Sequence, residues 1–153
     1  MTDSDDKFAI KIRKAEAQDA SRIAELATQL GYPSTVKEIA QRIEQLRPPA
    51  DSAVFVAEAA PSEIAGWIGM FVFCSIAEDP RVEISGLVVD ETFRSRGIGE
   101  KLLHRAEQWA SEKGCRSIGL RCNVVRERAH AFYERHGYRH TKTQKSYRKT
   151  VKT

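Results

Sequence analysis

The segment Arg94-Ser95-Arg96-Gly97-Ile98-Gly99 sets two arginines and two glycines where an apolar, β-branched run hands over to helical spacing. A helix that starts there presents backbone N–H groups without intrahelical acceptors, at the positive end of its dipole. Glycines at 97 and 99 let the backbone come close to a phosphate and take a positive φ where the turn demands it, while Arg94 and Arg96 bring charge to the rim. This spacing suits the binding of a phosphate-bearing anion; taken alone, it fits a merely tight turn equally well. The Walker pattern G-x-x-x-x-G-K-[ST] and the dinucleotide pattern G-x-G-x-x-G are both absent, so nucleotide triphosphate chemistry loses support.

Other chemistries find less in the chain. Cys74, Cys115 and Cys122 are odd in number and lack C-x-x-C spacing, which indicates neither a disulfide framework nor a zinc knuckle. No histidine motif supports an activated thiolate. His136 and His140 are four apart, but Gly137 interrupts any helix that would put them on one face, so no metal site is expected. With 153 residues, 41% apolar and 30% charged, the chain matches one globular domain, and a single domain over 1–153 is expected, with residues 1–6 a disordered start. No apolar run approaches the ~18 residues of a membrane span, and the acidic start is unlike a signal peptide. A cytoplasmic protein with no membrane partner is therefore expected. The net charge of +4 suits an anionic ligand and a weak nucleic-acid binder alike. Much of it lies from Arg139 to Lys152, read as a solvated final strand and frayed end.

The elements that position the glycine-bearing segment are legible from periodicity. Phe8 to Arg13 alternates as a half-buried strand. From Asp19 as N-cap, Ile23, Leu26, Ala27 and Leu30 recur at helical spacing until Gly31 and Pro33. Thr35 and Glu38 have capping-box spacing for a second helix, which Pro48 and Pro49 end. Ala53 to Glu58 and Ile64 to Phe73 read as a hairpin turning at Pro61 and Ser62. Val82 to Asp90 is a further strand. A helix then buries Leu102, Leu103, Ala106, Trp109 and Ala110 and stops at Gly114. Arg116 to Cys122 makes a strand parallel to its predecessor, Arg126 to His136 a last helix, and a closing strand pair is expected after Gly137. The order β-α-α-β-β-β-α-β-α-β-β belongs to one mixed α/β unit, with a largely antiparallel sheet of six to seven strands and about four helices.

The strand Leu87-Val88-Val89, the segment Arg94-Ser95-Arg96-Gly97-Ile98-Gly99 and the later Asn123-x-x-Arg126-x-x-Ala129-His130-x-Phe132-Tyr133-x-x-x-Gly137-Tyr138 together resemble the acetyl-CoA-binding half of the GNAT superfamily of N-acetyltransferases. The match covers Val82 to Tyr138, just over a third of the chain. The resemblance implies a GNAT fold and an enzyme that takes acetyl-CoA as acetyl donor. Backbone amides from Arg94 through Ser95, Arg96, Gly97, Ile98 and Gly99 to Glu100 would hold the pyrophosphate, and Leu87, Val88 and Val89 would pair with the pantetheine arm as an added strand would. The Val89 amide would face the thioester carbonyl. Tyr133 matches the tyrosine that protonates the departing thiolate in many members, a core aromatic packed beside Phe132 being the competing reading, and Asn123 matches one that bonds the pantetheine. Arg126 stands where asparagine is commoner, and either reaches a cofactor phosphate or simply begins the helix. Glu83 holds the position of a catalytic glutamate in some members, and strand alternation puts it on the face of Ser85 and Leu87; an ordinary surface glutamate is the competing reading.

Among such proteins the match looks most like the aminoalkylphosphonate, small-amine and aminoglycoside acetyltransferases, which implies a small-molecule amine acceptor, direct attack in a ternary complex and no nucleic-acid partner. The acceptor side, for which Tyr32, Glu58, Trp67 and Phe73 are candidates, is expected in the first two helices and the Ser75 to Arg81 loop. A non-catalytic acyl-CoA-binding regulator, an enzyme acting on protein amines, a nucleic-acid-binding module and a homodimer all stay open at this point.

Overall fold

A computed structural model describes residues 9–46, 51–122 and 124–153. The expected disordered start, Phe8, the Pro48-Pro49 stop and Asn123 lie outside the described residues. Two compact units are present, one through Leu120 and one from Arg121 to Thr153.

The first unit carries a five-stranded sheet in sequential order, β1 (Lys11–Lys14), β2 (Ser52–Ala60), β3 (Glu63–Phe73), β4 (Arg81–Val89) and β5 (Ile118–Leu120). The first four strands are antiparallel neighbours, and β5 lies parallel to β4. Helix α1 (Ala20–Leu30) and helix α2 (Val36–Gln45) cover one face. Ala20, Ile23, Leu26 and Ile39 there bury against Val56, Ile64 and Val88. Helix α3 (Ile98–Glu112) covers the other face: a Cβ added at Gly66 would meet Leu102 at 3.3 Å, whereas the next residue, Trp67, packs with α1 and α2. Alternation along a strand sends neighbours to opposite faces, so one strand serves both layers. Leu102, Leu103 and Ala106 are fully buried; burial of each leucine stabilises the fold by roughly 2 kcal/mol.

Local signals explain the helix ends. Thr35 Oγ1 accepts the Glu38 N–H at 3.1 Å and Glu38 Oε1 accepts the Thr35 N–H at 2.9 Å, closing the expected capping box. Gly31 ends α1 at φ 104°. Asp19 precedes α1 as expected, yet its carboxylate does not cap that helix. It accepts the Glu16 N–H at 2.8 Å across the 3₁₀ turn Ala17–Asp19, and takes the Arg13 guanidinium in two bonds of 2.8 and 2.9 Å. Burial acts to raise its pKa, but Arg13 and the Glu16 N–H outweigh that and hold it below the usual carboxylate range.

A depressed folded pKa contributes stability above the unfolded value of about 3.9, lost as pH falls through the lower folded value. Asp19→Ala is expected to cost about 2 kcal/mol in urea denaturation at pH 7. That is less than the roughly 3–5 kcal/mol of a stranded buried charge, because Glu58 still faces Arg13 at 3.3 Å. An unchanged midpoint would remove the pair from the stability of the fold.

The second unit holds α4 (Glu127–Arg135), ended by Gly137 at φ 90°. The sheet has five strands among the described residues rather than six to seven, because no closing pair forms. Residues 139–153 contain only Tyr147 and Val151 as apolar side chains, both exposed, and strands with no apolar face have little to bury. Strand β5 is also shorter than Arg116 to Cys122, flanked by exposed Arg116 and Arg121.

Candidate active site

Strand β4 ends at Asp90, which fixes the start of the glycine-bearing loop. Its N–H donates across the sheet to the Ala65 carbonyl at 2.7 Å. Its Oδ1 accepts the Thr92 N–H at 3.0 Å over the 3₁₀ turn Glu91–Phe93, and Oδ2 is paired with Arg22. Arg22 also donates from Nε to the Ile64 carbonyl at 2.9 Å, so one side chain ties α1 to β3 and to the loop. The Thr92 N–H, with Arg22, holds the Asp90 carboxyl below the usual range against its burial.

The loop then takes two left-handed residues, Ser95 at φ 67° and Gly97 at φ 76°. For a serine this costs about 1 kcal/mol, strain of a kind that collects at functional sites. Gly99, the other glycine, sits in the first turn of α3. Arg94, Ser95, Arg96 and Gly97 are exposed, and the Arg96 guanidinium lies 5.3 Å from the Phe93 ring centroid. The first bond inside α3 is Lys101 N–H to Gly97 O at 3.1 Å, which leaves the N–H groups of Ile98, Gly99 and Glu100 without an intrahelical acceptor.

The loop continues an open backbone edge. Strand β4 pairs with β5 only from Val82 to Ile84, against Ile118 to Leu120. The Asp90 N–H points toward β3, so by alternation the N–H groups of Leu87 and Val89 point to the opposite edge. No strand pairs there beyond Ile84 among the described residues.

A β-bulge sits beside this opening: Gly69 pairs with Gly86 and Met70 with Ile84, so Ser85 is the extra residue. Ser85 and Gly86 consequently face the same side. Ser85 Oγ lies 3.0 Å from where a Cβ on Gly69 would be, and a Cβ on Gly86 would lie 2.8 Å from the Trp67 ring, which therefore needs glycine beneath it. The bulge corrects one expectation. Glu83 pairs with Phe71 and shares the Trp67 face with Ser85, whereas Leu87 pairs with Ile68 and turns to the α3 face. Glu83 is 8% exposed, its Oε2 3.7 Å from Arg81 and its Oε1 3.1 Å from where a Cβ on Gly119 would be.

On the same face a cavity of about 260 Å³ opens between α1, α2 and the sheet. Ile23, Leu30 and Ile43 from the helices and Trp67 from β3 form much of its wall, with Ser85 and Arg42 among its polar members. Tyr32 and Trp67 line it as expected. Glu58 instead accepts from Arg13 and the Ser62 N–H, Phe73 lies under the Arg81 guanidinium, and no residue of the Ser75 to Arg81 loop is in the lining. The Trp67 indole N–H is buried and has no acceptor among the described residues, a debt of about 1–3 kcal/mol.

In the second unit Tyr133 is half-buried on α4, edge-on to Phe132 at 5.3 Å and to Tyr138 at 5.9 Å. Burial first, then the Cys122 charge, push its pKa up to about 12, against a smaller downward pull from Arg126. Arg126 is exposed at the start of α4, where its carbonyl accepts the His130 N–H at 3.1 Å.

This arrangement, an open strand edge running into a glycine-bearing helix start, was compared with known proteins. The profile of the Acetyltransferase (GNAT) family matches residues 13–138. The chain belongs to the GNAT family. It is 39% identical over 59 residues to GCN5-related N-acetyltransferase 4, chloroplastic, of Arabidopsis thaliana, covering 39% of this chain and 20% of that protein. To the aminoalkylphosphonate N-acetyltransferase of Salmonella typhimurium it is 37% identical over 75 residues, 49% of this chain and 40% of that protein. The chain thus spans less than half the length of these curated relatives. Glucosamine-6-phosphate N-acetyltransferase from Arabidopsis thaliana superposes with a TM-score of 0.77 at 26% identity, over 92% of this chain and 98% of that one. The aminoglycoside N-acetyltransferase AAC(6')-Iy in complex with CoA superposes with a TM-score of 0.81 at 21% identity, over 93% and 95%, a likeness of fold.

Within this GNAT member, the structure brings Glu83, Leu87 to Val89 and Arg94 to Glu100 onto one continuous strand, loop and helix; Arg126 and Tyr133 stand in the second unit. Sequence reading missed three things. Ser95 carries no residue-type signal for a left-handed turn. The bulge at Ser85 is announced only by the glycines it opposes. Arg42 looks like an ordinary solvated charge on α2 until the cavity beside it is seen.

Proposed function

We propose that the chain is an acetyl-CoA-dependent N-acetyltransferase that acts in the cytoplasm and moves the acetyl group to the primary amine of a small molecule by direct attack with both substrates bound. The observation that carries this reading is the open β4 edge leading through a doubly left-handed loop into the unpaired N–H groups of α3. Those groups fit a diphosphate with an extended arm: the N–H groups of Ile98, Gly99 and Glu100, with Arg94 and Arg96, for the phosphates, and those of Leu87 and Val89 for the arm. The family match over residues 13–138, which takes in part of each unit, supports reading that stretch as one catalytic domain. The free cysteines fit a reducing compartment.

Acetyl-CoA would supply an activated acetyl thioester. The Val89 N–H is assigned to the thioester carbonyl oxygen, where it would meet charge as it develops. An alkylamine with a pKa near 10 is almost wholly protonated at neutral pH, so a base must take its proton. Glu83, sharing a face with Ser85 beside the cavity, is assigned that role. Tyr133 is assigned to the leaving sulfur: burial keeps its phenol protonated at neutral pH, and it donates that proton toward the departing thiolate. Arg126 is assigned to a cofactor phosphate, and Asn123 keeps the pantetheine role that the family resemblance implies.

Calorimetry with free CoA and acetyl-CoA tests the donor half; no heat with either form would overturn the reading. Thiol release across a panel of small amines and lysine peptides tests the transfer, and CoA binding without turnover on any amine would favour a regulator. Glu83→Gln is expected to lower kcat about 10²-fold at pH 7 with CoA affinity unchanged, the lower end of the range for a lost general base; an unaltered kcat would leave the proton to water.

A further inference from the structure

The cavity beside Ser85 differs from a site built for a polycation. Among the described residues its lining contains no aspartate or glutamate, so a second ammonium group entering it would find no counter-charge from them. Among the described lining residues the formal charge is that of Arg42, positive and more than half exposed, on the α2 wall. Its Nη1 donates to Ser34 Oγ at 3.0 Å, which orients the guanidinium. Glu38 Oε2 makes a loose ion pair with its Nη2 at 3.8 Å, too long for a hydrogen bond, while Oε1 accepts the Thr35 N–H in the capping box. Arg42 therefore keeps donors for a second anion, and a guanidinium presents them as a planar fork matched to a carboxylate. Between Arg42 and the bulge the wall is apolar, with the Trp67 ring lying against the glycine pair Gly69 and Gly86. A volume of about 260 Å³ is below the roughly 300 Å³ at which drug-sized pockets begin, so the occupant is small.

We infer that the acceptor is a small primary amine on an apolar spacer that ends in an anionic group, the spacer lying against Trp67, the anion on Arg42 and the amine directed to Ser85 and Glu83. This rests on the acetyltransferase reading and adds the substrate class to it. The carboxylate is the simplest anion of this class, and the spacer is what separates it from shorter anionic amines.

The test uses the full chain with saturating acetyl-CoA. Thiol release is measured with 4-(aminomethyl)benzoate and 6-aminohexanoate, with the neutral comparator benzylamine, with 2-aminoethylphosphonate as an anion lacking the spacer, and with spermidine and kanamycin as polycations. The kcat/KM for 4-(aminomethyl)benzoate is expected to exceed that for benzylamine at least tenfold, and those for spermidine and kanamycin at least a hundredfold. Arg42→Gln should bring the benzoate to benzylamine ratio near one, chiefly through KM for the benzoate, while the calorimetric affinity for CoA holds. A polycation or 2-aminoethylphosphonate used better than the spacer-bearing acids overturns the substrate class, as does an unchanged ratio in Arg42→Gln. Tryptophan fluorescence titrated with 4-(aminomethyl)benzoate gives a readout independent of turnover, and no response there together with no turnover also overturns it. Failure of the acetyltransferase reading looks different: no heat with CoA or acetyl-CoA and no thiol from any amine.

Discussion

Gly97→Val is expected to abolish the rise in Tm that saturating CoA gives the wild-type protein. A ligand at about one hundred times its Kd stabilises a fold by about 2.7 kcal/mol. For a domain near 150 residues that corresponds to a Tm rise on the order of 8 °C. Gly97 stands at φ 76°, where a β-branched residue is strongly disfavoured, so valine forces the loop into another path and turns the N–H groups of Ile98, Gly99 and Glu100 out of register. Packing itself does not forbid the substitution, since a Cβ there would meet nothing within 4 Å. The apoprotein should therefore lose only about 1–2 kcal/mol, the cost of the strained backbone. Differential scanning calorimetry with and without CoA separates the two effects, and a full ligand-induced shift in the variant would take this loop out of cofactor binding.

Tyr133→Phe is the complementary case, with chemistry lost and binding kept. Removing one donor aimed at developing charge costs about 10²-fold or more in kcat, and a phenyl ring preserves the edge-on contacts with Phe132 and Tyr138. A kcat drop of about 100-fold with an unchanged Kd for CoA is expected. The raised pKa adds a second check by its sign. With a value of about 12 the phenol keeps its proton through neutral and mildly alkaline pH, so Tyr133 should contribute no falling limb to the wild-type rate profile below about pH 11. Wild-type kcat in the variant would remove Tyr133 from the mechanism.

The parts that could be read in advance are those where local chemistry has one solution. The capping box at Thr35 and Glu38, the glycine stops at Gly31 and Gly137 and the apolar stripe of Leu102, Leu103 and Ala106 form as their spacing dictates. The glycine-bearing loop was visible for the same reason, because glycines at a strand-to-helix turn are a backbone signal. What the spacing within one element could not show was which partner a side chain takes. Asp19 stands at the N-cap of α1 as read, but Arg13 and the Glu16 N–H take its carboxylate in place of the helix. Simple alternation set Glu83 beside Leu87, and one extra residue at Ser85 reversed that, since period-two reasoning does not survive a bulge. A closing strand pair was expected after Gly137, but the chain there has too few apolar side chains to give it a face to bury.

Arg22 gives the two halves of the site a common fastening. Helix α1 lends Ile23, Ala27 and Leu30 to the cavity and, through Arg22, holds Asp90 and the Ile64 carbonyl at the foot of the loop. With the proposed donor and acceptor seats joined through this helix, the tightness of each substrate should depend on the presence of its companion. Thermodynamic reciprocity then requires the dependence to be equal in both directions: a fivefold gain for the donor when the acceptor is seated, about 1 kcal/mol, obliges the same fivefold gain in reverse.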